Sequence, residues 1–119
     1  MTDLLKPSDL VAELLEHVPE LKCVYDEHIN DYEELLPHVF FGDATRYVVQ
    51  QAKDGFLASD QPVSRILRLF EVAMAGSEDV QELVSVSFLE NLVGNEEVIR
   101  ELASMMGPAL KTEVAKKNV

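Results

Sequence analysis

"ELLPHVFFGDATRYVVQ", residues Glu34 to Gln50, is the stretch whose reading decides the fold. A proline, a histidine, two adjacent phenylalanines and a Gly-Asp step interrupt a chain that otherwise keeps helical spacing. Pro37 disfavours the helical region at Leu36, so a helix arriving from the N-terminal side ends at or before that point. "VFF" is a three-residue apolar run with no partner strand elsewhere in the sequence, which argues against a sheet. The expected arrangement is a corner. Val39, Phe40 and Phe41 anchor an irregular connection, Gly42 or Asp43 caps the next helix, and Ala44, Tyr47, Val48, Gln51 and Ala52 carry that helix to a stop at Gly55.

Apolar residues recur at helical spacing on both sides of this corner. Leu10, Val11, Leu14, Leu15 and Val18 fall on one face, with Ser8 and Asp9 supplying acceptors and negative charge near its start. A second helix beginning at Pro19 places Leu21, Val24, Tyr25, Ile29 and Tyr32 on one arc. Downstream, Pro62 with Ser59 or Asp60 as cap introduces Val63, Ile66, Leu67, Phe70, Ala73 and Met74, and Gly76 ends the run. Ser77, followed by Glu78 and Asp79, opens a helix whose buried face is Val80, Leu83, Val84, Ser87, Phe88 and Leu92. Asn95 begins another, carried by Val98, Ile99, Leu102, Met105 and Met106 before Gly107. Pro108 restarts a short last helix, expected to fray from about residue 112 in the lysine-rich tail. The sequence therefore predicts one all-α domain over residues 1–119, an irregular bundle or a short HEAT-like stack of six to seven short antiparallel helices. No internal self-similarity marks a true repeat.

Composition narrows the function classes. A chain of 119 residues with 47% hydrophobic content and five each of glycine and proline fits one packed core rather than disorder. The N-terminus "MTDLLKPSDL" has neither the basic start nor the apolar core of a signal peptide, and the apolar runs are too short to span a membrane. The single cysteine, Cys23, can form no internal disulfide, which suits a reducing compartment, so a cytoplasmic location is expected.

Charge is the strongest compositional feature. Twenty-two acids against ten bases give a formal net charge of −12, which disfavours direct nucleic-acid binding. Residues 1–40 hold ten acids and two bases, residues 77–110 hold seven acids and one base, and the tail from Lys111 is net basic. Within the first block Glu20, Glu27, Asp31 and Glu34 align on one side of the second helix if it continues at about 100° per residue. Such a stripe faces either solvent or a basic partner.

No catalytic constellation stands out. His17, His28 and His38 are candidates for acid or base work, and Glu33, Glu34, His38 and Asp43 can be drawn together as a metal site. Their spacing is not diagnostic, and among so many acids some carboxylate lies near every histidine. His38 is expected as a corner residue bonded to backbone and His28 as a satisfied residue at the edge of the core. Cys23 has only Lys22 beside it to lower its pKa, which is thin support for a nucleophile. Ser85 and Ser87 lack a nucleophile-elbow pattern, and the five glycines are spaced as helix stops rather than as a phosphate loop. No enzyme activity, cofactor or metal is expected.

"ELLPHVFFGDATRY", "VSFLENLVGN" and "MGPAL" together resemble a family of small, uncharacterised bacterial helical domains, some of them immunity proteins of polymorphic toxin systems. The resemblance covers about residues 19–111 and carries no catalytic signature. It implies a cytoplasmic inhibitor that neutralises one cognate toxin, often a nuclease.

The charge pattern leads to a compatible expectation. A cleft built to attract phosphate also attracts an array of carboxylates, which can replace the polyanion and speed association. Exposed ion pairs contribute little individually, so aromatic anchors such as Tyr25, Tyr32 or Tyr47 are needed as well. The expected contact residues are Glu27, Asp31, Glu33 and Glu34 with Tyr32, and, as a second patch, Glu78, Asp79 and Glu82. The partner would be a basic protein rather than nucleic acid or membrane. A helical adaptor that holds a peptide in an apolar groove is the alternative, distinguished by binding that resists salt.

Overall fold

The computed structural model describes residues 6–58 and 60–117. Its helices are α1 (Pro7–His17), a 3-10 turn (Pro19–Leu21), α2 (Lys22–Tyr32), α3 (Pro37–Lys53), α4 (Pro62–Ala73), α5 (Glu78–Glu82), a π-helical stretch (Leu83–Leu89), α6 (Glu90–Leu92), α7 (Glu96–Ala103) and α8 (Pro108–Lys117). Since α5, the π-helical stretch and α6 run on without a break, the described residues form seven helical rods and no strand. The expected all-α bundle is what the chain adopts.

The opening stretch is not a corner. Pro37 occupies the first position of α3, the longest helix, and "VFFGD" lies inside it. Proline both ends the preceding helix and starts this one, because its fixed φ and missing N–H suit the first turn. The true connection is Glu33–Leu36. Glu33 takes a left-handed conformation (φ 61°) at the end of α2, and Leu36 is extended before Pro37. Asp43 is therefore no cap, and Gly42 is a mid-helix glycine whose absent Cβ would meet only Asn91 Nδ2, at an ordinary 3.9 Å. Phe40 and Phe41 are buried as expected, while Val39 is exposed.

α3 is the axis of the bundle: α1, α2, α4, α6, α7 and the π-helical stretch all pack on it, and α1 also touches α4 and α5. Contacts between elements so distant in sequence define a bundle wrapped on a central helix. A linear HEAT-like stack would join each unit to its neighbours alone. The core is threaded by aromatic rings. Tyr25 meets Phe40 edge-on at 5.8 Å, Phe40 meets Phe41 at 6.2 Å, Phe41 stacks on Phe70 at 5.2 Å, and Phe70 meets Phe88 edge-on at 4.7 Å. Such ring pairs add to area burial because the edge of one is attracted to the face of another.

Local signals place most other ends. Ser77 Oγ accepts the N–H of Val80, and Asp9 accepts the N–H of Lys6. α4 is capped at Gln61 rather than at Asp60, and Ser59 lies outside the described residues. The second helix starts one turn later than Pro19, which instead leads the 3-10 turn. The π-helical winding brings Ser87, Phe88 and Leu89 into the core consecutively, alongside Leu83 and Val84. α8 is helical through Lys117, past the point at which fraying is expected. It is fastened at its start by Glu71 of α4, whose carboxylate accepts the N–H groups of Ala109 (2.8 Å) and Leu110 (3.1 Å). A Cβ on Gly107 would lie 2.5 Å from Glu71 Cδ, so glycine is what lets that carboxylate reach the helix start.

Candidate partner-binding surface

Among the described residues, acidic side chains gather in three depressions: one beside α7, lined by Glu96, Glu97 and Glu101 with Lys53, and two that hold expected contact residues. The first of those two lies between α2 and α3. Its lining comprises Val24, Glu27, Asp31 and Tyr32 from α2, and Asp43, Arg46 and Tyr47 from α3, around an open volume of about 520 Å³. Glu27 and Asp31 stand one turn apart on α2, and Asp43 and Tyr47 one turn apart on α3, so two helical stripes face each other across the groove. Three carboxylates thus share the space with one cation, the guanidinium of Arg46, which is bound to Asp43 Oδ1 and is itself 75% exposed.

The aromatic walls differ. Tyr32 is 47% exposed, a large apolar ring left at the surface. Tyr47 is half-buried against the core, and burial pushes its phenol above the ordinary value of 10.0, with the Glu20 charge adding to that effect. Tyr25, the third expected anchor, is packed on Phe40 and serves the core instead.

Beneath the groove lies a residue that sequence reasoning placed at the edge. His28 is 1% exposed, with its ring 5.0 Å from Tyr32 and 5.9 Å from Phe40. Its Nε2 accepts the N–H of Leu36 at 2.9 Å, which ties the end of α2 to the approach to α3 and leaves the ring proton on Nδ1. Nδ1 has no hydrogen-bond partner, and the nearest carboxylate oxygen, Asp43 Oδ2, is 4.0 Å away. His28 is therefore only half satisfied. It was missed because the apolar arc of α2 was drawn through Ile29 and Tyr32, whereas the helix buries His28 with Val24 and Tyr25 at its side.

The second depression is lined by Met74, Glu78, Gln81, Glu82, Ser85, Val86 and Glu113, with a volume of about 220 Å³. Here one of the three carboxylates, Glu113, is compensated. The Ser85 hydroxyl donates to Glu113 at 2.9 Å and holds its carboxyl below the ordinary value of 4.5, with Lys116 and Lys117 adding to the shift. Lys116 lies 3.5 Å from Glu113, and Lys117 reaches Glu90 at 3.1 Å.

Of the expected contact residues, the first groove unites Glu27, Asp31 and Tyr32, and the second depression Glu78 and Glu82. Glu33 and Glu34 are exposed at the connection, and Asp79 is exposed on α5, but none of the three lines either depression. The predicted stripe also loses Glu20. That residue sits in the 3-10 turn and takes both nitrogens of the Arg65 guanidinium, at 3.0 and 2.5 Å, and this hydrogen bonding holds its carboxyl below 4.5. Arg65 also donates to the His17 carbonyl, so the pair pins α4 to the end of α1.

The enzymatic alternatives find little geometry. His38 Nδ1 is 2.5 Å from Ser87 Oγ, a side-chain contact across to the π-helical stretch rather than the expected backbone bond. Glu33, Glu34, His38 and Asp43 do not assemble, and among the described residues no three His, Cys, Asp or Glu side chains form a group able to hold a metal ion. Cys23 is exposed, with its thiol on the Glu20 carbonyl. No described helix is long and apolar enough to cross a membrane.

Fold and surface together define a small all-α domain with an open, acidic, aromatic-edged groove. The chain belongs to a family described as a domain of unknown function, DUF7674, whose profile spans residues 11–119. No curated protein and no solved structure matches it.

Proposed function

We propose that this protein is a non-enzymatic inhibitor, of the immunity-protein kind, that binds a basic protein partner and occludes its phosphate-attracting cleft, and that it works in the cytoplasm. The observation that carries this reading is the α2–α3 groove, where Glu27, Asp31 and Asp43 surround an exposed Tyr32 with Arg46 the one base among the lining residues. Carboxylates arrayed in this way resemble a short run of phosphates in charge, and an exposed tyrosine supplies the rigid apolar anchor that charge alone lacks. The remaining acidic surface contributes long-range attraction, which raises the association rate more than it slows release.

The test is capture from the source organism's lysate with the tagged full chain, followed by purification of the captured protein and measurement of its Kd. A single basic partner with nuclease activity, blocked by the wild-type protein and released as salt rises, is the expected result. The Glu27→Lys/Asp31→Lys pair should weaken that complex by about 100-fold or more, since close interfacial charge pairs couple by several kcal/mol. A complex that tolerates this double reversal would overturn the reading.

A further inference from the structure

His28 Nδ1 is a buried donor aimed at a groove wall that does not quite receive it. The ring is 1% exposed, its tautomer is fixed by the Leu36 N–H, and Asp43 Oδ2 stands 4.0 Å off, beyond hydrogen-bond range. The other oxygen of the same carboxylate, Asp43 Oδ1, is held by Arg46. Asp43 is thus contested between an exposed cation and a buried donor, and in this state the exposed cation has it. An unmet buried donor costs more than an exposed ion pair returns, so little is needed to reverse the outcome.

We infer that the groove is a receptor for one arginine side chain of the partner, and that its arrival hands Asp43 from Arg46 to His28. This rests on the inhibitor reading and names the group it grips. A guanidinium offers a planar fork of donors that matches the carboxylates of Glu27 and Asp31, and a flat face that lies against the exposed Tyr32 ring. Its charge repels Arg46, which is free to swing into solvent because it is 75% exposed. Asp43 then turns inward to accept Nδ1–H with one oxygen and keeps the other toward the guest. No covalent change is involved. Arginine fits better than lysine because the walls supply a ring face as well as acceptors, and an ammonium uses only the acceptors.

The full-length protein, labelled with ¹⁵N, is titrated with the blocked tripeptide Gly-Arg-Gly and, in parallel, with Gly-citrulline-Gly, which keeps the shape and removes the charge. The arginine peptide should give saturable shifts at Tyr32, Asp43, Arg46 and Tyr47, and a downfield move of the His28 Nδ1 proton as it gains an acceptor. The citrulline peptide should give none. Glu27→Gln/Asp31→Asn should weaken the peptide at least tenfold with an otherwise unchanged amide spectrum, and Asp43→Ala should abolish the Nδ1 response while the Tyr32 shift persists. Shifts confined to Glu78, Glu82 and Glu113, or spread without saturation over all exposed acids, would overturn the groove as receptor. Saturable binding with His28 unmoved would overturn the handover. The peptide experiment does not use the cellular partner, so its failure leaves the inhibitor reading to the capture assay. Conversely, an arginine-binding groove with no basic partner in the cell would sink the inhibitor reading alone.

Discussion

The two acidic blocks have nearly the same composition and different surroundings. In the second, α8 lies alongside: Lys117 reaches Glu90 at 3.1 Å, and Glu113, which shares a depression with Glu78 and Glu82, is bonded by Ser85 and lies 3.5 Å from Lys116. In the first, Glu27 and Asp31 face a groove whose single base is already engaged by Asp43. Charge counted along a sequence treats the blocks as equals. What separates them is where the basic tail packs, on α4 and the π-helical stretch, with Lys117 on Glu90 of the second block.

This comparison is broken most directly by partner affinity. Glu78→Lys/Glu82→Lys should cost less than about threefold where Glu27→Lys/Asp31→Lys costs about 100-fold, because exposed charges away from the proposed contact are worth under about 1 kcal/mol. Equal losses from both pairs, measured by calorimetry with the captured partner, would erase the distinction.

Next in size is the fastening of α8. Glu71→Ala leaves the Ala109 and Leu110 amides without their acceptor and should destabilise the fold by about 1–3 kcal/mol in urea titrations. Hydrogen exchange should quicken along Pro108–Lys117, uncovering the second block, while α2 and α3 keep their protection. Faster exchange at the groove instead would mean that the two regions are not independent.

Smaller, and of opposite sign, is Gly42→Ala. The site is mid-helix with room for a methyl group, so the substitution should stabilise by about 0.5–1 kcal/mol, read from the same urea curves. Destabilisation would restore the corner at this point and dismantle the α3 wall of the groove.

The smallest effects are electrostatic. Glu113 and Glu20 have carboxyls held below 4.5 in the folded protein. Each therefore adds stability that is fully present above that value and is lost as pH falls through the lower folded value. Ser85→Ala should narrow the gap between stability at pH 6 and at about pH 3, because the hydroxyl is the main cause of the Glu113 shift. An unchanged gap would mean that the tail lysines alone set it. Added salt should raise Tm slightly by screening the net charge of −12, and should do so more in a Lys116→Gln/Lys117→Gln variant, which lacks the two cations on Glu113 and Glu90.

Much of this fold was legible because helical period survives in the apolar residues. Val80, Leu83, Val84, Ser87, Phe88 and Leu92 were placed on one buried face, and all six are buried. Glu27 and Asp31 come to one groove for the same reason, since residues four apart share a face. Pro37 is the point of failure. Taken as a terminator it leaves the next helix to begin at Gly42 or Asp43, whereas as a helix start it carries α3 back through Val39–Asp43 and puts Asp43 one turn before Tyr47, the spacing of the α2 stripe. His28 keeps the period too, three residues from Tyr25 and four from Val24, but the period alone does not say that a histidine there turns fully inward while Tyr32 stays exposed. The π-helical winding is silent as well, because no local residue pattern marks Leu83–Leu89 as anything but ordinary helix.

That winding also stores a residue. A helix wound more widely over Leu83–Leu89 carries more residues through the same rotation, so Glu90 and Leu92 continue close to the phase that an ordinary helix one residue shorter would give them. Removing one residue from the stretch would let it rewind as an ordinary helix, with Leu92 still turned to the core and Glu90 still beside Lys117. A family member one residue shorter in this segment is therefore expected to keep the same contacts on either side of it.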